Sequence, residues 1–167
     1  ETWRMADLRP LLAQKVYGER PLPDALKGLR DDATVSVERV ESSKAHVRVG
    51  DAAAQSPSAA AIGKTGQQVE IRLIVDPTQA EVGSDVPMLT YVDGVKGAGV
   101  QMIATHVDSG AAQTFIAEDG SGHFRVTAAG RWRVEFHALG APRAAGEPWR
   151  LYTATLSFEV QPRGETR

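Results

Sequence analysis

The stretch HFRVTAAGRWRVEFHA, residues 123–138, decides the reading of this chain, together with WRLYTATLSFEV at residues 149–160. In the first, Phe124 and Val126 alternate with His123, Arg125 and Thr127, and Trp132, Val134, Phe136 and Ala138 alternate with Arg131, Arg133, Glu135 and His137. In the second, Tyr152, Ala154, Leu156, Phe158 and Val160 oppose Leu151, Thr153, Thr155, Ser157 and Glu159. Side chains that change character at every step are those of strands with one buried face. Ala128, Ala129 and Gly130 read as the loop of a hairpin joining the strands on either side.

Upstream, the same alternation recurs at short intervals. Val69, Ile71, Leu73 and Val75 share an apolar face against Glu70 and Arg72, and further strands run over Val86–Val92, Val100–Val107 and Gln113–Ala117. Asp93-Gly94, Asp108-Ser109-Gly110 and Asp119–Gly122 supply the turns between them. Seven strands between Val69 and Val160 predict an all-β domain over residues 67–162, an immunoglobulin-like or transthyretin-like sandwich. Residues 35–66 read as a short strand pair, VSVERV with AHVRVG, followed by a mobile loop rich in Ala, Ser and Gly. Residues 1–34 read as a helical arm. Leu8, Leu11, Leu12, Val16 and Tyr17 are spaced for a helix that Pro10 would start near Asp7 or Arg9, and Gly18, Pro21 and Pro23 stop it. Leu22, Leu26 and Leu29 also require burial.

At 167 residues the chain suits one domain with an appendage, and its formal net charge of −2 offers no electrostatic reason to bind nucleic acid. The absence of cysteine excludes disulfides and thiol chemistry. No run has the length of a membrane span, and ETWRMADLRP lacks the apolar centre of a secretion signal, so an exported protein is expected here in mature form.

No motif points to catalysis. GKTG at residues 63–66 lacks the remainder of a phosphate loop, and no serine lies in a G-x-S-x-G turn, so the chain is expected not to be an enzyme. If residues 123–137 form a hairpin, His123, Glu135 and His137 meet on its polar face, a ligand set suited to nickel, cobalt, copper or zinc with water completing the shell. The plainer expectation is three solvated side chains on an outer sheet face, beside Arg125 and Arg133. His106, in phase with Val100, Met102 and Ala104, is expected to be a half-buried, hydrogen-bonded histidine. Trp3 in the arm and Trp149 at the start of the last strand, with Leu8, Leu11 and Leu12, are candidate anchors for a protein partner or a second copy.

The order of the segments also carries a resemblance. SKAHVRVGD, QQVEIRLIVDP, GSDVPMLTYVDGVKGAGVQMIATH, EDGSGHF, AAGRWRVEFHA and PWRLYTATLSFEV follow one another between residues 43 and 160. With Gly83, Asp93-Gly94, Gly122, Gly130, Trp132, His137, Trp149, Tyr152 and Leu156 in place, the chain resembles a bacterial family of exported proteins of unknown function. That family was once described as NikM-type periplasmic components of nickel or cobalt uptake. The resemblance implies a C-terminal β-sandwich and a periplasmic or otherwise exported location. The histidine-led N-terminal element of those relatives has no counterpart, because no histidine precedes His46. The resulting expectation is a non-catalytic binding or accessory module of the envelope that docks a protein through its arm and loops. The alternative is a periplasmic transition-metal binder.

Overall fold

A computed structural model describes residues 1–14, 16–18, 20–47 and 59–162. Ten strands form two sheets. The larger contains β1 (Thr2–Arg4), β2 (Thr34–Ala45), β6 (Val100–His106), β7 (Ala112–Ala117), β9 (Gly130–Gly140) and β10 (Trp149–Val160) in the order β1-β2-β10-β9-β6-β7. In the smaller, β4 (Asp85–Val92) is central. It pairs with β3 (Val69–Leu73) on one edge, and on the other with β5 (Val95–Lys96) at Tyr91 and Val92 and with β8 (Ser121–Arg125) from Asp85 to Leu89. The protein is an all-β sandwich with one short N-terminal helix, α1 (Met5–Leu12). No helix among the described residues is long and apolar enough to cross a membrane.

The period-2 pattern explains the layers. Trp132, Val134, Phe136 and Ala138 of β9 and Tyr152, Ala154, Leu156, Phe158 and Val160 of β10 face Val69, Ile71, Leu73, Val86, Met88 and Phe124 of the small sheet. The opposite face of β10 and β2 is also apolar at one end. Val35, Val37, Leu139, Trp149 and Leu151 lie there under Met5, Leu8, Leu12, Val16 and Leu26. The arm therefore folds back as a third layer.

Several expectations are corrected. Residues 123–137 are not a hairpin: β8 pairs antiparallel with β4, whereas β9 pairs with β6 and β10. The chain changes sheets at residues 126–129, where Trp132 Nε1 donates to the Ala128 carbonyl at 3.0 Å and His106 Nε2 lies 2.9 Å from that of Ala129. Both strands keep the predicted buried face because the two sheets look at one core from opposite sides. The 35–50 strand pair is replaced by one strand, β2, parallel to β10 from Trp149↔Val37 to Ser157↔Ala45; residues 48–50 lie outside the described residues. A boundary between residues 35–66 and 67–162 would cut this sheet apart. The expected 51–66 loop contains a helical turn, α2 (Ala59–Ile62), and its first part, 51–58, lies outside the described residues.

Helix α1 begins at Met5, ahead of the expected start near Asp7 or Arg9. The Met5 and Ala6 N–H groups donate to the carbonyls of Ala33 and Asp31, so the returning chain satisfies the free end and no capping side chain is required. Pro10 falls in the second turn, and the helix ends two residues on. Val75 is 40 % exposed and has left the core face, because β3 ends at Leu73. Glu70 is buried instead of solvated: Lys44 of β2 pairs with it, and the Thr65 and Gly66 N–H groups donate to it at 2.8 and 3.2 Å.

Candidate functional site

The three candidate metal ligands do not share a site. His123 is exposed on the small sheet opposite Pro87, while Glu135 and His137 lie on the outer face of the large sheet. Glu135 pairs with Arg133 at 3.4 Å, and His137 Nδ1 lies 3.0 Å from Thr153 Oγ1, its basicity lowered by burial. Among the described residues, no three histidine, cysteine, aspartate or glutamate side chains gather as a ligand set. The predicted constellation depended on a hairpin that does not form.

The candidate partner anchors are used internally. Leu8, Leu12 and Trp149 are buried in the layer beneath the arm, and Trp3 and Leu11 pack against it half-exposed. Residues of this kind bury apolar area wherever it is on offer, and the outer faces of β2 and β10 offer it within the same chain.

His106 is buried and hydrogen-bonded, as its phase predicts. A carbonyl only accepts, so in the neutral ring Nε2 carries the proton to Ala129 and Nδ1 accepts from the Ser109 hydroxyl at 2.8 Å. This resembles a nucleophile and its base. However, Ser109 also accepts from the Ala111 N–H at 3.3 Å inside the same tight turn, and Asp108 is engaged by Arg131. The pair clamps the β6–β7 turn to the crossing at Ala129. Gly130, at φ +116°, leaves no room there: a Cβ would come 2.8 Å from Asp108 Oδ2.

A polar centre that the sequence reading passed over stands at the other end of the sandwich. Asp93 and Gly94 turn β4 into β5 with φ of 51° and 78°, the doubly left-handed backbone of a tight hairpin that Asp and Gly tolerate. The turn aims the Asp93 carboxylate back across the sheet end. There it accepts from Tyr152 Oη at 2.7 Å, Gln68 Nε2 at 2.8 Å and Arg143 Nη2 at 3.1 Å. Burial would raise the affinity of Asp93 for a proton, but these donors and the Arg143 charge outweigh it and hold the carboxyl below its ordinary range. The Tyr152 phenol is pushed up, by burial first and by the neighbouring carboxylate second. Gly140 leaves space for the Tyr152 ring, since a Cβ there would stand 3.0 Å from Cε2.

Beside this centre the arm passes over the sheet end. Val16 accepts from the Leu139 N–H, and Gly18, at φ +66°, presses so closely on the Ala98 carbonyl that a Cβ would lie 2.3 Å from its oxygen. Between the arm, the β4–β5 turn and the ends of β9 and β10 lies a cleft of about 410 Å³. Val16, Ala138 and Leu139 belong to its apolar wall, and Asp93, Arg143 and Tyr152 to its polar one. A second cleft, of about 480 Å³, lies at the opposite end of β9 and β10 beside Val47, Val107 and Phe158. No family model, curated protein or solved structure matches the chain.

The signal for this site was a tyrosine in core phase. A buried phenol requires a hydrogen-bond partner, and an aspartate at a left-handed turn position is a ready acceptor. Nothing local to Asp93, Arg143 or Gln68 brings them together in sequence. Their meeting depends on which loops share an end of the sandwich.

Proposed function

We propose that this chain is a non-catalytic binding module of the bacterial envelope whose ligand seat is the cleft between the arm and the Asp93 end of the sandwich. The observation that carries the reading is the Asp93 carboxylate, fixed by three donors from three separate segments at the mouth of an apolar-walled cleft. A preformed concavity with a few convergent polar groups is the usual form of a small-ligand site, and about 410 Å³ falls within the usual size range. The order of segments between residues 43 and 160, resembling the exported family described above, supports the location.

Chemical-shift mapping tests the reading. ¹⁵N-labelled protein is titrated with a mixed set of organic acids, primary amides and sugars. Shifts concentrated on the amides of Gly97, Leu139, Gly140 and Tyr152 are expected for at least one class. Shifts scattered over the surface, or none, would discard the cleft as a ligand seat.

A further inference from the structure

Charge around the cleft is one-sided. Among the described residues, Arg20, Lys96, Arg143 and Arg150 line it against one carboxylate, Asp93. Arg143 is engaged by Asp93 and Arg150 by Glu38 at 2.8 Å. Arg20 and Lys96 have no acidic partner among the described residues, and the side-chain hydrogen bond of Arg20 is a long one, 3.4 Å to the Tyr17 carbonyl. Gly120, at φ +72°, lets the strand bearing Lys96 approach closely, since a Cβ there would be 2.7 Å from Lys96 Cβ. Two cations without an acidic partner thus line one cleft in which Tyr17, Val95 and Ala98 keep apolar surface uncovered.

We propose that the cleft binds a carboxylate attached to a compact apolar body, the anion held between Arg20 and Lys96 and the body laid against Tyr17, Val95 and Ala98. This rests on the cleft reading above and adds the ligand class. The pairing follows from the cost of leaving the cations as they are. A guanidinium and an ammonium on the rim of one cleft, neither engaged by a carboxylate, can both donate charge-assisted hydrogen bonds to an oxyanion placed between them. Asp93 does not oppose the anion, because Tyr152, Gln68 and Arg143 already spend their hydrogens on it. The same chemistry is presented by a small organic acid and by the free C-terminus of a peptide.

Calorimetric titration at low ionic strength provides the test, with N-acetyl-phenylalanine, its neutral amide, and a six-residue peptide ending in phenylalanine with either a free or an amidated C-terminus. Binding of the acids and about tenfold weaker binding of the matching amides is expected, the difference of one charge-assisted contact. The R20Q/K96Q double variant, both substitutions lying at exposed side chains, should erase that difference while leaving the urea midpoint unchanged. A free-carboxylate peptide that binds more tightly than the single acid identifies a peptide terminus as the source; equal affinity identifies the small acid. Acid and amide binding equally, with shifts still mapped to the cleft, would overturn the ligand class and leave the cleft standing. No binding by any probe here or in the mapping experiment would overturn both.

Discussion

Glu70 shows how far one residue departs from what its position in a strand predicts. Alternation along β3 assigns it to the outside, and it sits there, but Lys44 and the Thr65–Gly66 loop cover it completely. Burial alone would raise its proton affinity; the Lys44 ammonium and the Thr65 contacts outweigh that and hold the carboxyl below its ordinary value. The pair joins the edges of the two sheets, since Lys44 also donates to the Ile71 carbonyl at 3.2 Å. Removing one member leaves the other charge buried without compensation, so Glu70→Ala should cost about 3 kcal/mol in urea unfolding, with K44M/E70L recovering much of it. A cost below about 1 kcal/mol would show that the ammonium reaches water once its partner is gone. The left-handed positions were legible in the sequence as turns, because Asp-Gly pairs announce them. The partners of Glu70 and Asp93 were not, because both come from segments far along the chain.

Among the elements, α1 is the one whose role changed most. Eight residues interrupted by proline form no stable helix alone, and its Leu8 is fully buried against the outer faces of β2 and β10. Leu8→Ala should therefore destabilise the isolated protein by about 3 kcal/mol, and Leu11→Ala, which empties only a half-buried place, by less than half as much. Equal and small effects on the urea midpoint would mean that the arm is built to leave. The strands were legible to within a residue or two where Gly and Asp bound them. Their partners were not: alternation reports which face is buried, and β8 and β9 bury the same phase while belonging to different sheets. VSVERV likewise runs straight on to Ala45, because Glu41–Lys44 lacks the glycine or proline that would have made it a turn.

For the whole molecule, the carboxylates and histidines displaced from their ordinary values act in one direction. Glu70 and Asp93 are held below their ordinary values, so the stability they supply is complete above those values and disappears as pH falls through the lowered native ones. Burial, first, holds His46 and His137 below their ordinary 6.5, so between that value and their native ones the unfolded chain takes up protons that the folded chain refuses. Stability should rise from acid to neutral pH and level off above about 7, as followed by urea midpoints at pH 4, 5.5 and 7.5. His137→Gln should flatten the upper part of that rise and leave the fall below pH 5 in place; an unchanged profile would show that the ring is solvated. A last property of the molecule follows from the lodging of β10 between β2 and β9. Nothing can occupy the gap between the second strand and the ninth until residues 149–160 have been made, so on the ribosome the larger sheet waits for that strand with the groove beside β2 uncovered. A chain lacking residues 149–160 would keep most of the described strands yet have no keystone to close them, fit for a protease or a chaperone instead of a ligand.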